Sequence, residues 1–85
     1  MIHYTVAWAR SARDQLATIW IEAPDRSAVT AAANEVDAVL TNDASTKGVE
    51  LHEGLRVLFV SPLRAIFAVD GEDLLVEVLR VTKLE

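Results

Sequence analysis

The 85-residue chain has no cysteine, only three glycines and two prolines, few aromatics (6%), and eight basic residues against thirteen acidic ones. Without cysteine there can be no disulfide scaffold, no thiolate zinc site and no cysteine nucleophile. The same absence is compatible with a reducing compartment. The formal net charge of −5 argues against a generic polyanion binder, which carries a net basic face. Long apolar runs are missing too. Stretches such as Leu55–Phe67 are broken by Arg56 and Arg64 and fall short of the ~20 residues that cross a bilayer. Met1-Ile2-His3-Tyr4-Thr5 lacks a basic region followed by an apolar run, so no secretory leader is expected. The terminal Leu84-Glu85 is assigned no function.

At 52% hydrophobic the chain is too apolar to be disordered, and its length suits one small α+β domain spanning 1–85. Glycine placement divides it. Gly48, Gly54 and Gly71 all lie in the second half, where turns between strands are needed. Ile2, Tyr4, Val6 and Trp8 alternate with His3, Thr5 and Ala7, a strand pattern. Ser11 and Asp14 read as a capping box opening a helix over Ala12–Glu22, with Ala12, Leu16, Ile19, Trp20 and Ala23 as its buried stripe. Pro24 ends that helix. Asp25 caps a second one, whose stripe is Val29, Ala33, Val36 and Leu40. Lys47–Glu53 fits a short strand or an extended loop. Strands follow over Leu55–Val60, Leu63–Val69 and Leu74–Thr82, turning at Ser61-Pro62 and Asp70-Gly71. On the last strand Leu74, Val76, Val78 and Arg80 are expected to share a face. The order is β-α-α-β-β-β, a helical hairpin on a twisted antiparallel sheet.

No phosphate loop, dinucleotide fingerprint, zinc-protease helix or calcium loop is present. His3 and His52 lack metal-ligand spacing, so neither a metal nor a cofactor is expected. His52-Glu53 is the one candidate for general acid–base work, because imidazole titrates near neutrality. Between Gly54 and Val69 there is no acid, only Arg56 and Arg64; Arg80 and Lys83 follow. On neighbouring strands these cations can share one face and bind phosphate or carboxylate. The plainer reading leaves each arginine on a solvated face or pairs it with Glu50, Glu53, Glu72 or Glu77. Arg10 and Arg13 read as surface charges, and Trp8 and Trp20 as core. The alanine-rich second helix lacks the basic face of a membrane-surface element.

The element order, together with particular residues, resembles the RelE/ParE superfamily of type II toxin–antitoxin (plasmid stabilisation) toxins. The resemblance runs from about Tyr4 to Val81. It is carried by Tyr4, Val6 and Trp8, by Ala12, Asp14, Leu16, Ile19 and Trp20, and by Gly54-Leu55-Arg56-Val57-Leu58. Leu63-Arg64-Ala65-Ile66-Phe67-Ala68-Val69-Asp70 and Leu75-Val76-Glu77-Val78-Leu79-Arg80-Val81 complete it. It implies a bacterial cytoplasmic protein held by a cognate antitoxin. RelE-like members cut mRNA on the ribosome without a metal, and ParE-like members inhibit DNA gyrase. Arg64 matches the arginine of the family's Tyr-Arg motif, with Leu63 and Phe67 replacing the tyrosines. The lysines of the strand around Arg56 are replaced by Leu55, Val57 and Leu58, and the chain ends five residues after Arg80. Each missing general acid or base removes about 10²–10⁴-fold of rate. The expectation is therefore a toxin-like component that binds a protein partner through Arg56, Arg64 and Arg80. The alternatives are a metal-independent endoribonuclease using Arg64 and His52, and a repurposed domain that self-associates as a homodimer.

Overall fold

A computed structural model describes residues 2–52 and 54–84. Glu53, half of the expected acid–base pair and one expected arginine partner, lies outside the described residues, as does Glu85 of the terminal dipeptide. The elements are β1 (Thr5–Trp8), α1 (Arg10–Glu22), α2 (Arg26–Thr41), a 3₁₀ turn (Ala44–Thr46), β2 (Val49–His52), β3 (Leu55–Val60), β4 (Leu63–Asp70) and β5 (Leu75–Lys83). They build one five-stranded sheet in the order β1-β5-β4-β3-β2, with both helices on one face. The expected α+β helical hairpin on a sheet is present. The sheet is mixed rather than antiparallel throughout, because β1 runs parallel to β5 after the two helices carry the chain across.

Helix α1 starts earlier than the capping box implied. Its N-cap is Ala9, with no side-chain cap, and the Ser11 hydroxyl donates instead to the Leu79 carbonyl (3.3 Å). The α2 cap is as expected: Asp25 Oδ1 accepts from the Ala28 amide at 3.2 Å. In α2 the buried positions are Val29, Ala32, Val36 and Leu40, with Ala33 half-buried beside them. Phe67, Leu40 and Leu63 are the largest fully buried side chains. Each contributes about 1.5–3 kcal/mol by leaving water. Residues 63, 65 and 67 of β4 and 76, 78 and 81 of β5 face the helices.

That last set breaks the alternation. Ile66 pairs with Arg80, but Phe67 pairs with Val78, so Leu79 is an extra residue in a β-bulge. Val76 and Val78 point to the core as expected, but the bulge turns Arg80 to the opposite, open face. This corrects the expectation that Arg80 shares a face with Val76 and Val78. Where β1 ends, α1 covers the edge of β5. Gln15 Oε1 accepts the Val81 amide proton at 2.8 Å, and Ser11 caps Leu79.

The β4–β5 turn also departs from a two-residue hairpin. Asp70 Oδ1 accepts from the amides of Glu72 and Asp73, and the positive φ falls on Leu74 (52°) rather than on Gly71. The peptide Ser61-Pro62 at the β3–β4 turn is cis.

Candidate functional site

The pairing registers lay out the open face of the sheet as rows. One row is Phe59, Arg64 and Thr82; the next is Val49, Val57, Ile66 and Arg80; the third is His52, Leu55, Ala68, Glu77 and Ala7. Arg64 Nε donates to Thr82 Oγ1 at 3.0 Å, which leans its guanidinium along β5. Arg80 is exposed one row below. Arg64 and Arg80 therefore share a face, as expected. The bulge at Leu79 is what puts them together.

Arg56 does not join them. It lies opposite Phe67 on β4 and Glu50 on β2, which places it on the helix-bearing side of the sheet. Its Nε donates to the Lys47 carbonyl (2.7 Å) and its Nη2 to the Gly48 carbonyl (3.2 Å). Arg56 is thus a brace that holds the chain entering β2 against β3. Lys83 pairs with Leu63 and also faces the helix side, beside Ile19 and Asp14. The expected four-cation face reduces to Arg64 and Arg80.

His52 stands at the far end of the outermost strand, opposite Leu55. Arg64 is opposite Phe59, four residues further along β3, so the two are separated by about 13 Å along the strand direction and by two strand spacings across it. Arg64 also leans away from β2. His52 and Arg64 do not converge on one point. His3 makes an isolated bridge to Asn42 and is remote from both. Among the described residues, no group of three or more His, Asp or Glu side chains is placed to hold a metal, and no helix is long and apolar enough to cross a membrane.

The open face is more apolar than basic. Phe59 is 55% exposed and Val49 60%, and they flank Val57, which is 4% exposed although it lies outside the helix-side core. Aliphatic and aromatic side chains thus form a small satellite cluster beside the two arginines.

A second surface lies between the helices. Trp20 is 41% exposed, which corrects its assignment to the core, and its neighbour Ile21 is 62% exposed. With Leu16, Ala17, Val29 and Ala33 they line an open apolar groove of about 590 Å³. Arg13 borders this groove, and Arg26 borders a shallower depression that adjoins it. Trp20 is fixed by three contacts. Its Nε1 donates to Thr30 Oγ1 at 3.1 Å. The Arg26 guanidinium stacks 4.8 Å from its ring centre, and Arg26 Nε donates to its carbonyl at 3.1 Å. Trp8 is half-buried, with its indole N–H on Asp37 (2.7 Å). Sequence reading missed the groove, although Ile21 already gave a signal by falling outside the α1 stripe.

Similar architectures occur among solved structures. The RelBE2 toxin–antitoxin complex of Mycobacterium tuberculosis matches with a TM-score of 0.80 at 22% identity, over 98% of this chain and 93% of that one. The chromosomal ParDE system of P. aeruginosa matches at 0.74 and 22% identity, over 98% of each chain. The RelE–RelB complex of Pyrococcus horikoshii matches at 0.68 and 13% identity, over 96% of each. The chain has the RelE/ParE toxin fold. No protein-family model and no curated protein sequence matches it. On the RelE/ParE fold, then, this chain carries two arginines on a largely apolar open face, and an apolar groove on the helical layer behind it.

Proposed function

We propose that the chain is a toxin-like component of a toxin–antitoxin pair, acting in the bacterial cytoplasm by binding proteins, with its cognate antitoxin seated in the helix groove. The observation that carries this reading is the preformed groove, walled by Trp20 and Ile21, on a fold whose solved examples include complexes with antitoxins. The groove suits the apolar stripe of an amphipathic helix. Arg13 and Arg26 at its margins suit acidic residues flanking that stripe.

The test is expression alone and with the neighbouring gene. Expected are a growth defect alone, its relief on co-expression, and co-purification of the neighbour's product. Ile21→Glu places a charge in the groove without touching the core, so it should abolish co-purification and leave the circular dichroism spectrum unchanged. No growth defect together with no co-purifying product refutes the proposal.

The co-facial Arg64 and Arg80 favour one second reading, a metal-independent endoribonuclease in which they hold a phosphate. Against it stands the distance from His52, which leaves no described imidazole within reach of that phosphate to take the 2′-hydroxyl proton. A ribosome-programmed mRNA cleavage assay separates the readings. Cleavage that is lost in Arg64→Ala supports the nuclease; its absence supports binding alone.

A further inference from the structure

We infer that Arg26 is the positioning residue of the helix groove. It ties off the last turn of α1 and covers one face of the Trp20 ring, so that the other face stands in the groove as a fixed anchor for an aliphatic or aromatic side chain. The inference rests on the groove reading and adds which residue anchors the occupant, what holds that residue, and what chemistry it meets.

The place for Arg26 is set by the sequence. In a continuing helix the Trp20 carbonyl would accept from residue 24, but Pro24 has no amide proton. The Ala23 amide reaches that carbonyl only at 3.4 Å, and the last turn of α1 holds no basic side chain of its own. Arg26, the first residue of α2, fills both gaps from across the turn. Its Nε donates to the Trp20 carbonyl at 3.1 Å and its Nη2 to the Ile21 carbonyl at 2.9 Å. A cation is favoured at a helix C-terminus and disfavoured at an N-terminus. Arg26 therefore opposes the dipole of its own helix while completing the end of α1.

The same guanidinium lies 4.8 Å from the centre of the Trp20 ring. Trp20 lines both the groove and the adjoining depression, whereas Arg26 lines only the depression. The cation thus covers the depression side of the ring and leaves the groove side open. The indole N–H is on Thr30 Oγ1 at 3.1 Å, so the ring is held at its edge, at one face and through its own carbonyl. A 41% exposed aromatic fixed in advance has little side-chain freedom left to lose when a partner arrives. A partner lysine or arginine against the open face would meet the Arg26 charge across the ring, so the anchor suits an apolar side chain. Lysine in place of Arg26 would keep the charge but not the planar fork that reaches two carbonyls.

Fluorine NMR of the chain labelled with fluorotryptophan tests the positioning without any partner. The Trp20 resonance, assigned by its loss in Trp20→Phe, should broaden or shift in Arg26→Ala. The Trp8 resonance and the circular dichroism spectrum should stay unchanged, and Arg26→Lys should not restore the original Trp20 resonance. Titration with the purified product of the neighbouring gene tests the anchor. Its affinity should fall about 10-fold or more in Arg26→Ala, but by no more than about 3-fold when the same change is made on a Trp20→Ala background. An unchanged Trp20 resonance in Arg26→Ala overturns the inference, whether or not the neighbour's product binds. So does an equal loss from Arg26→Ala with and without Trp20, which would make Arg26 a direct contact. Failure of the groove reading shows separately, as neighbour binding insensitive to Ile21→Glu while the Trp20 resonance still depends on Arg26.

Discussion

The three glycines provide a graded test of how the β2 edge is attached. Gly48 has φ +67°, and a Cβ there would point into the Val57 carbonyl oxygen and sit 2.9 Å from the Val57 carbonyl carbon. Both are backbone atoms of the adjacent strand, so Gly48→Ala cannot be absorbed by a rotamer change. The left-handed conformation costs about 1–2 kcal/mol for a residue with a Cβ. Pushing the entry to β2 off β3 also pulls the Lys47 and Gly48 carbonyls from Arg56, and charge-assisted hydrogen bonds are worth about 1.5–3 kcal/mol. Together these give roughly 3–5 kcal/mol, a large share of the ~4–13 kcal/mol expected for a domain of this size. Gly54 has φ +82° but nothing within 4 Å of its Cβ position, so Gly54→Ala carries only the conformational cost of about 1–2 kcal/mol. Gly71 has open space and no positive φ, and Gly71→Ala should be neutral or stabilising by up to about 1 kcal/mol. Urea unfolding followed by the fluorescence of Trp8 and Trp20 reads the series. With a slope near ~1 kcal/mol per molar, Gly48→Ala should lower the midpoint by about 3 M or more, against about 1–2 M for Gly54→Ala. Hydrogen exchange should locate the damage at the β2–β3 pairing. Equal midpoints for the two variants, with unchanged protection at the Val49 and Val57 amides, would show that the close approach does not govern this edge.

Two further substitutions test the other side of the sheet. Gln15→Leu removes the side-chain acceptor of the Val81 amide beside a buried residue, and should cost about 1–3 kcal/mol in urea unfolding; a shift below about 0.5 kcal/mol would mean that water replaces the amide. Phe67→Ala empties the largest fully buried side-chain position, and a loss of about 3–5 kcal/mol is expected, seen as a thermal transition that is lowered or absent; an unchanged transition temperature would place the core elsewhere.

The elements of the fold were legible because each rests on local chemistry. Pro24 and Asp25 end one helix and start the next, and the α2 stripe needs only the 3.6-residue period. The alternation of β1, β3 and β4 needs only the period of two. What failed depends on long-range partners. Ser11 looks like a cap, yet it is drawn to the Leu79 carbonyl by the way α1 lies along β5. Trp20 falls on the apolar stripe, but its indole is held by Thr30 and Arg26 of α2 and left half open to solvent. Gly71 follows an aspartate as in a tight hairpin, yet Asp70 builds a longer turn around its own carboxylate.

The bulge at Leu79 has the largest consequence for the layout of the candidate site. A strand read with a strict period of two sends Arg80 into the core with Val76 and Val78, where a guanidinium without a partner would be costly to bury. The inserted residue resolves that conflict by changing faces midway along β5. Val81 continues the core, while Arg80 and Thr82 join Arg64. The sequence holds a trace of the switch: after Val78 the next core valine comes three positions later, at Val81, not two. No comparable shift occurs on β3, so Arg56 keeps the face that alternation assigns and becomes a brace for β2. Arg64 and Arg80 are placed to hold one anionic group between them, while His52 stands on the outermost strand, about 13 Å from Arg64 along the strand direction, and does not converge with them.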